Sequence, residues 1–326
     1  MILFRRMFIV SLGLLALTGP MQTASAQTWP SRPVRIIVPF GAGGTTDIFA
    51  RLVALHLQTA LSQPVTVDNK PGGNFAIGTE AAAKSPADGY TLVMITSSHA
   101  LIEALGVNRQ KYQLMRDLVP VAALSSAQSV LVVHPSIPVK SVKELISLVK
   151  SKPNTLNYGS TGNGSMLHVE AKLFESMTGT EMSHIPYKVG SNARVDLLTG
   201  RLQLMFDTVD GAAPYVRSGK LRALGTTGLN RSVALPEVPT IAESGVPGYE
   251  AQAVIGIMVP TGTPRQVVDL LNSEINKIIT RPEVREAWAK VDSQVMPMTP
   301  EEFGKTLNAE IVKWSGVVKS ANVTMD

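Results

Sequence analysis

The chain contains no cysteine. This absence excludes disulfide bonds, thiolate nucleophiles, cysteine-ligated zinc and iron–sulfur clusters. Charged residues are also scarce, at 17% of the 326 residues, whereas hydrophobic residues make up 44%. A disordered chain has the opposite balance, so this composition predicts a folded protein with room for two ordinary domains.

A concentrated basic region is also missing. The formal net charge of +5 falls to +3 without Arg5 and Arg6, which lie in an N-terminal segment that has no acidic residue. No basic run occurs elsewhere in the sequence. Nucleic-acid binding depends on such clusters, so we do not expect nucleic acid as a partner.

Long hydrophobic runs are limited to the N-terminus. Arg5 and Arg6 precede an apolar stretch, Met7–Leu17, and the small residues Ala24–Ala26 follow it. A membrane anchor needs about 20 apolar residues, more than this run provides. The order instead predicts a signal peptide over residues 1–26, cleaved after Ala26, and a mature protein in the periplasm.

The mature sequence alternates short β-rich runs with amphipathic helical ones, which is typical of α/β architecture. Two similar α/β units follow each other, and the C-terminal part is largely helical with too few strands for a third domain. We therefore predict a discontinuous domain 1, residues 27–127 plus 252–326, and a domain 2, residues 128–251. Two crossing strands between them would form a hinge.

Four predicted strands run into loops rich in glycine and hydroxyl residues: Pro39–Asp47, Asn69–Asn74, Thr96–His99 and Gly159–Ser165. Ligands of open α/β sheets bind outside the carboxyl ends of the strands. Glycine allows close backbone approach there, and a helix N-terminus offers unpaired N–H groups to an anion. The alternative is that each loop is an ordinary turn with a Ser or Thr cap. Four such loops together favour an anion site.

Sequence signals for nucleotide binding or catalysis are incomplete. The run Gly41-Ala42-Gly43 lacks the third glycine of a dinucleotide fingerprint, because Thr46 stands there, and no Gly-Lys-Ser/Thr follows. Ser160 lacks the flanking glycine of a nucleophile elbow. The five histidines show no metal-ligand spacing. We therefore expect neither a metal nor a cofactor, and no enzyme.

Short motifs resemble one family along almost the whole mature chain. They are Trp29–Pro33, Val38–Phe40 with Gly43, Gly44 and Asp47, Asn69–Asn74, Asp88–Leu92, Leu156–Ser160, Gly164 and Ser165 with His168, Pro186–Lys188, Met205–Asp207, Ser218–Ala223, Leu235–Thr240 and Pro260–Pro264. In this order they resemble the solute-binding receptors of tripartite tricarboxylate transporters, the Bug or TctC-like family.

The resemblance implies a two-domain periplasmic binding protein of type II topology that closes on a small carboxylate. The implied partners are the large and small membrane subunits of the transporter, and the implied receptor is a monomer. Loops of both domains would bind the ligand. The implied ligand-binding residues are Phe40, Gly41, Ala42, Gly43, Gly44, Asp47, Gly72, Gly73, Asn74, Thr96, Ser97, Ser98, Ser160, Thr161, Gly164, Ser165, Asp207 and Thr208.

Departures from the family pattern leave the ligand open. Val189 stands where the family usually has glycine, and Arg194 occupies a position expected to be apolar. Arg194 either pairs with a second ligand carboxylate or reaches solvent, and we favour solvent. Two other functions stay open: a component that presents its ligand to a sensor, and an α/β enzyme that uses Asp207 and His168.

Overall fold

The structure, a computed structural model, describes residues 29–325. The predicted signal peptide and its cleavage site lie outside these residues. The chain divides before Arg32 into two units, and all elements described below belong to the second. No helix in the described range is long and apolar enough to cross a lipid bilayer.

Strands and helices alternate through most of this unit, which confirms the α/β prediction. The strands are β1 (Val34–Val38), β2 (Val65–Asn69), β3 (Thr91–Thr96), β4 (Leu118–Val133), β5 (Asn157–Ser160), β6 (Ser183–Pro186), β7 (Leu204–Thr208), β8 (Arg222–Thr226), β9 (Gln252–Pro260) and β10 (Ser293–Val295). The helices are α1 (Thr45–Leu61), α2 (Ala76–Ala83), α3 (Ser97–Leu105), α4 (Leu114–Asp117), α5 (Val142–Ser151), α6 (Met166–Thr178), α7 (Gly190–Leu198), α8 (Val209–Arg217), α9 (Arg265–Ile279), α10 (Pro282–Ala289) and α11 (Pro300–Ser320).

Two half-sheets have the same strand arrangement. In the first the order is β2-β1-β3-β9-β4, and in the second it is β6-β5-β7-β4-β8. Each half has three parallel strands followed by an antiparallel one. The carboxyl ends of the parallel strands within each half therefore meet at one edge, where ligand sites of α/β sheets form.

Strand β4 runs through both half-sheets. It pairs with β9 from Leu118 to Gln128, and its next residues, from Ser129 onward, pair with β7 and β8. The apolar run Val130–Val133 predicts only the end of this strand, because Ser125, Ser126 and Gln128 interrupt the hydrophobic pattern before it. Strands β4 and β9 lie side by side and are the two strands predicted to cross between the domains; the crossing, the hinge and the domain boundaries stay predictions.

Helix α11 packs on the cores of both half-sheets. Its buried Phe303 and Leu307 join the cluster around β1, β3 and β9, whereas Trp314 and Val317 join the cluster around β4, β5 and β7. The apolar side chains on one face of this long helix explain why it lies against the sheet. A Thr299–Glu302 capping box fixes where it begins.

Candidate functional site

Asp47 anchors the glycine-rich loop after β1. Its carboxylate accepts hydrogen bonds of 2.9 Å each from the Gly43 N–H, Arg51 Nε and Asn69 Nδ2. Burial by itself raises the pKa of Asp47, but the bonds from Arg51, Gly43 and Asn69 outweigh it and hold the pKa below the ordinary value. Asn69 Nδ2 also donates to the Phe40 carbonyl at 3.2 Å. The loops after β1 and β2 are thus tied together.

Aromatic rings connect these two loops to the start of α3. The ring of Phe40 lies 4.7 Å from that of Phe75 and 5.8 Å from that of His99, between centroids. The Phe75 and His99 rings are 5.0 Å apart. These separations are those of favourable aromatic pairs. Three of the loops predicted from the sequence therefore lie side by side.

His99 is buried and holds the loop after β3 in place. Its Nδ1 accepts from the Thr96 N–H at 3.1 Å, and its Nε2 lies 3.2 Å from Thr79 Oγ1. Thr79 Oγ1 in turn donates to the Phe75 carbonyl at 2.9 Å. Burial lowers the pKa of His99 to about 3, so the ring is neutral at physiological pH. This histidine is a structural support rather than a free base.

The neutral His99 predicts sensitivity to acid. Between its unfolded pKa near 6.5 and its folded pKa near 3, only the unfolded chain binds this proton. His99 therefore lowers the free energy of unfolding by up to about 1.4 kcal/mol for each pH unit below 6.5. Urea unfolding at pH 4.5 and 7 should show a smaller loss for His99→Gln than for the wild type. Equal losses would contradict this placement, and His56→Gln, at a partly exposed histidine of α1, is the control.

The loop after β2 has an unusual backbone. Four successive residues, Gly72, Gly73, Asn74 and Phe75, have positive φ angles of 112°, 59°, 52° and 69°. This region favours glycine, and it is strained for Phe75 in particular. Asn108 Nδ2 supports the turn by donating to the Asn74 carbonyl at 3.0 Å. Strain of this kind concentrates at functional sites.

The second half-sheet presents the loop after β5. Ser160 is fully buried, and its hydroxyl lies 2.7 Å from His184 Nε2 and 3.1 Å from the Gly162 carbonyl. Ser165 caps α6 by accepting from the His168 N–H at 3.3 Å. His168 Nδ1 accepts from the Gly164 N–H at 3.0 Å. The preference of the sequence analysis, that His168 braces the loop, agrees with this geometry.

Arg194 does not reach solvent as the sequence analysis favoured. Its guanidinium forms a two-pronged ion pair with Asp207, through Nε at 2.6 Å and Nη2 at 2.8 Å. The Asp207 side chain is 1% exposed and that of Arg194 is 18% exposed. The hydrogen bonds to Asp207 raise the pKa of Arg194. The expectation was wrong because β7 and α7 place two residues in contact that are well apart in sequence.

A cleft of about 340 Å³ lies where loops of both half-sheets face the crossing strands. This volume is within the range of small-ligand sites. Its lining residues come from α1, the loop after β5, α6, the end of β7, α8, strands β4 and β9, and the start of β10 with the segment before it. They are Thr45, Ala127, Gln128, Ser129, Thr161, Met166, Leu167, Glu170, Thr208, Val209, Asp210, Ala253, Ile255, Val291 and Ser293.

Three helices begin at this cleft. Thr45 is the first residue of α1, Met166 is the first of α6, and Thr208 is the N-cap of α8. The N-termini of α1 and α8 have no side-chain cap, in contrast to α6. Uncapped helix N-termini present N–H donors and partial positive charge. The cleft can therefore receive an anion without a basic side chain.

The predicted site residues fall into three groups. Thr161 and Thr208 line the cleft. A second group lies in the exposed loops of the first half-sheet: Gly41, Ala42, Gly43, Gly44, Gly72, Gly73 and Asn74. The remaining ones are buried or partly buried in the loop and helix junctions around the cleft. They are Phe40, Asp47, Thr96, Ser97, Ser98, Ser160, Gly164, Ser165 and Asp207. Ligand contact by any of them stays a prediction.

Glu170 is a cleft residue that the sequence analysis missed. It lies in the middle of α6, is 2% exposed and lines the cleft. An acidic residue in an amphipathic helix normally faces solvent, so its position carried no signal. No group of three or more His, Cys, Asp or Glu in the described part of the chain could hold a metal ion.

Comparison with known proteins agrees with this architecture. The family model of the tripartite tricarboxylate transporter family receptor, TctC, matches residues 49–323. The chain belongs to this receptor family. Protein BugT of Bordetella pertussis is 37% identical over 312 residues, covering 95% of this chain and 96% of BugT.

Solved structures of the family share the fold. Rpa4515 of R. palustris, solved with adipate, is 34% identical with a TM-score of 0.75, covering 91% of this chain and 99% of that one. MatC from Rhodopseudomonas palustris, with bound malate, is 28% identical with a TM-score of 0.71, covering 89% and 100%. The predicted family and the periplasmic-binding-protein fold of this receptor are thus confirmed.

Proposed function

We propose that this receptor captures a small organic acid in the cleft and delivers it, in the periplasm, to the membrane subunits of a tripartite tricarboxylate-type transporter. The observation that carries the proposal is the pair of uncapped N-termini, those of α1 and α8, at one cleft. Thr161 adds a hydroxyl from the loop after β5. Adipate and malate in two related structures support a carboxylate as the ligand.

Ligand binding would close the two predicted domains on each other. Residues 27–127 with 252–326 would move against residues 128–251, about the crossing strands near Gln128 and Gln252. The cleft draws lining residues from both sides of this division, so a bound ligand would contact both domains and hold them together. Binding then shifts the population towards the closed state.

We infer that the receptor binds its ligand as a monomer and without turnover. The two residues considered for catalysis are both engaged in the fold. Asp207 is paired with Arg194, and His168 Nδ1 is occupied by the Gly164 N–H.

A thermal-shift panel on residues 27–326 tests the proposal. The panel contains mono-, di- and tricarboxylates, acidic amino acids and aromatic acids, each beside its primary amide as a matched control. A carboxylate at a hundred times its Kd should stabilise the protein by about 2.7 kcal/mol, which raises Tm by several degrees, while the amide should not. The protein is unfolded and refolded first to remove any ligand from the host. No shift, or turnover of a bound acid, would contradict the proposal.

A further inference from the structure

Glu170 combines burial, a place in the cleft and an unsatisfied oxygen. Its Oε2 is buried and has no hydrogen-bond partner among residues 29–325, while the residue lines the cleft. Nearly all buried polar atoms in folded proteins are paired, so an orphaned carboxyl oxygen requires an explanation. A ligand in the cleft would supply the missing partner once the carboxyl group turns this oxygen towards it.

The groups around Glu170 leave its carboxyl without a cation of its own. Lys313 is the nearby cation, and it forms ion pairs with Glu250 and Glu310. Tyr249 Oη donates to the main-chain carbonyl of Glu170 at 3.1 Å and not to its carboxyl group.

These surroundings favour the neutral form of the acid. Burial raises the pKa of Glu170 to about 8; a hydrogen bond from the Ser129 side chain to the carboxyl group and the charge of Lys313 lower it, while Glu310 and Glu250 raise it further. The carboxyl therefore keeps its proton at neutral pH and is a hydrogen-bond donor.

The other lining residues of the cleft restrict which ligand groups can bind beside the Glu170 carboxyl group. Among the described residues, its lining includes no Lys, Arg or His, and the one other acid is the exposed Asp210. Met166, Val209 and Ile255 give the cleft an apolar wall. A second carboxylate of a ligand would thus be desolvated there without a basic side chain to neutralise it.

This inference rests on the proposed function. We propose that Glu170 determines specificity, because its protonated carboxyl group donates a hydrogen bond to an uncharged acceptor on the ligand. The ligand class is a monocarboxylate with an apolar body and a hydroxyl, carbonyl or amide group. The carboxylate binds at the helix N-termini, and the uncharged group binds Glu170. This residue thereby selects against dicarboxylates.

Calorimetry with two matched series of probes tests the selection at pH 6.5. One series is hexanoate, 6-hydroxyhexanoate and adipate, and the other is 4-methylbenzoate, 4-(hydroxymethyl)benzoate and terephthalate. Within a series that binds, the Kd of the hydroxyl probe should be at least about tenfold lower than that of the other two probes. A tenfold difference corresponds to the free energy of one buried hydrogen bond. Glu170→Ala should remove the advantage over the methyl probe.

A pH series separates this role from a purely structural one. The neutral fraction of a group with a pKa near 8 falls about thirtyfold between pH 6.5 and 9.5, and wild-type affinity for the best-binding acid of the panel should fall with it. Glu170→Gln keeps an N–H donor but cannot ionise, so its affinity should be nearly constant. Glu286→Gln, an exposed acid on α10, is the control and should behave as the wild type.

The outcomes separate the inference from the proposed function. If no acid of the panel binds the wild type, the proposed function fails and the inference with it. If acids bind but Glu170→Gln has the wild-type pH profile, or a dicarboxylate binds best, only the inference is overturned. Affinity that rises with pH would show Glu170 acting as an anion, and would overturn it too.

Discussion

Replacement of Asp207 by alanine is expected to lower the free energy of unfolding by about 3 kcal/mol. Removing one member of a buried ion pair leaves the other charge uncompensated, which costs about 3–5 kcal/mol, and the partial exposure of Arg194 places the loss at the lower end. Asp207 also accepts from the Thr208 N–H at 2.9 Å, so the start of α8 should lose order. Urea unfolding at pH 7 measures the first effect, and ligand affinity measures the second.

Asp269 provides the matched control for this experiment. It forms an ion pair with Arg265 in which both side chains are at least half exposed. Exposed pairs contribute about 0–1 kcal/mol, so Asp269→Ala should be nearly neutral. If Asp207→Ala were equally neutral, Arg194 would be free to move to solvent, and the ion pair would not position α8.

Replacement of Asp47 by alanine is expected to cost about 2–3 kcal/mol of stability and at least about tenfold in ligand affinity. The substitution removes the acceptor of the Gly43 N–H and one of the two acceptors of Asn69 Nδ2, which keeps its bond to the Phe40 carbonyl. The bond to Arg51 adds little, because that side chain is 54% exposed. The glycine loop would then no longer be held beside the N-terminus of α1. Urea unfolding and calorimetry with the best-binding acid measure the two losses.

The Asp47 contribution should also have a defined pH dependence. Because its pKa is lowered in the folded state, the stabilisation is complete above the unfolded pKa near 4 and is lost as the pH falls through the folded pKa. Asp68→Ala is the control, since the contacts of Asp68 with Arg35 and Lys70 are loose, at 3.7 and 3.4 Å. If Asp47→Ala kept the stability and the ligand affinity of the wild type, the loop would not depend on this carboxylate.

The fold was largely predictable because its parallel strands are buried and apolar. The runs that form β1 and β3 have few polar residues, and glycine and hydroxyl residues follow them directly. The polar middle of β4 was missed, since it pairs on both sides while it carries serine and glutamine. The sequence of α8 does not predict a helix, because Pro214 lies within it and proline normally argues against a helix interior.

The site was predictable as a set of loops but not as a set of contacts. Glycine and hydroxyl runs at strand ends are visible in the sequence. The partners of Asp47, Ser160 and Asp207 depend on how neighbouring strands and helices align, which no local pattern encodes. Glu170 was hidden for the same reason: the burial of a helical glutamate depends on what packs over that helix.

Strand β4 and helix α11 each belong to the packing of both half-sheets, and this links their stabilities. Detachment of β4 would remove the neighbour of β9 in the first half-sheet and the neighbour of β7 and β8 in the second. Release of α11 uncovers Phe303 in one core and Trp314 in the other. The two halves therefore share a cooperative unfolding unit, even though they are expected to move relative to each other when the receptor closes.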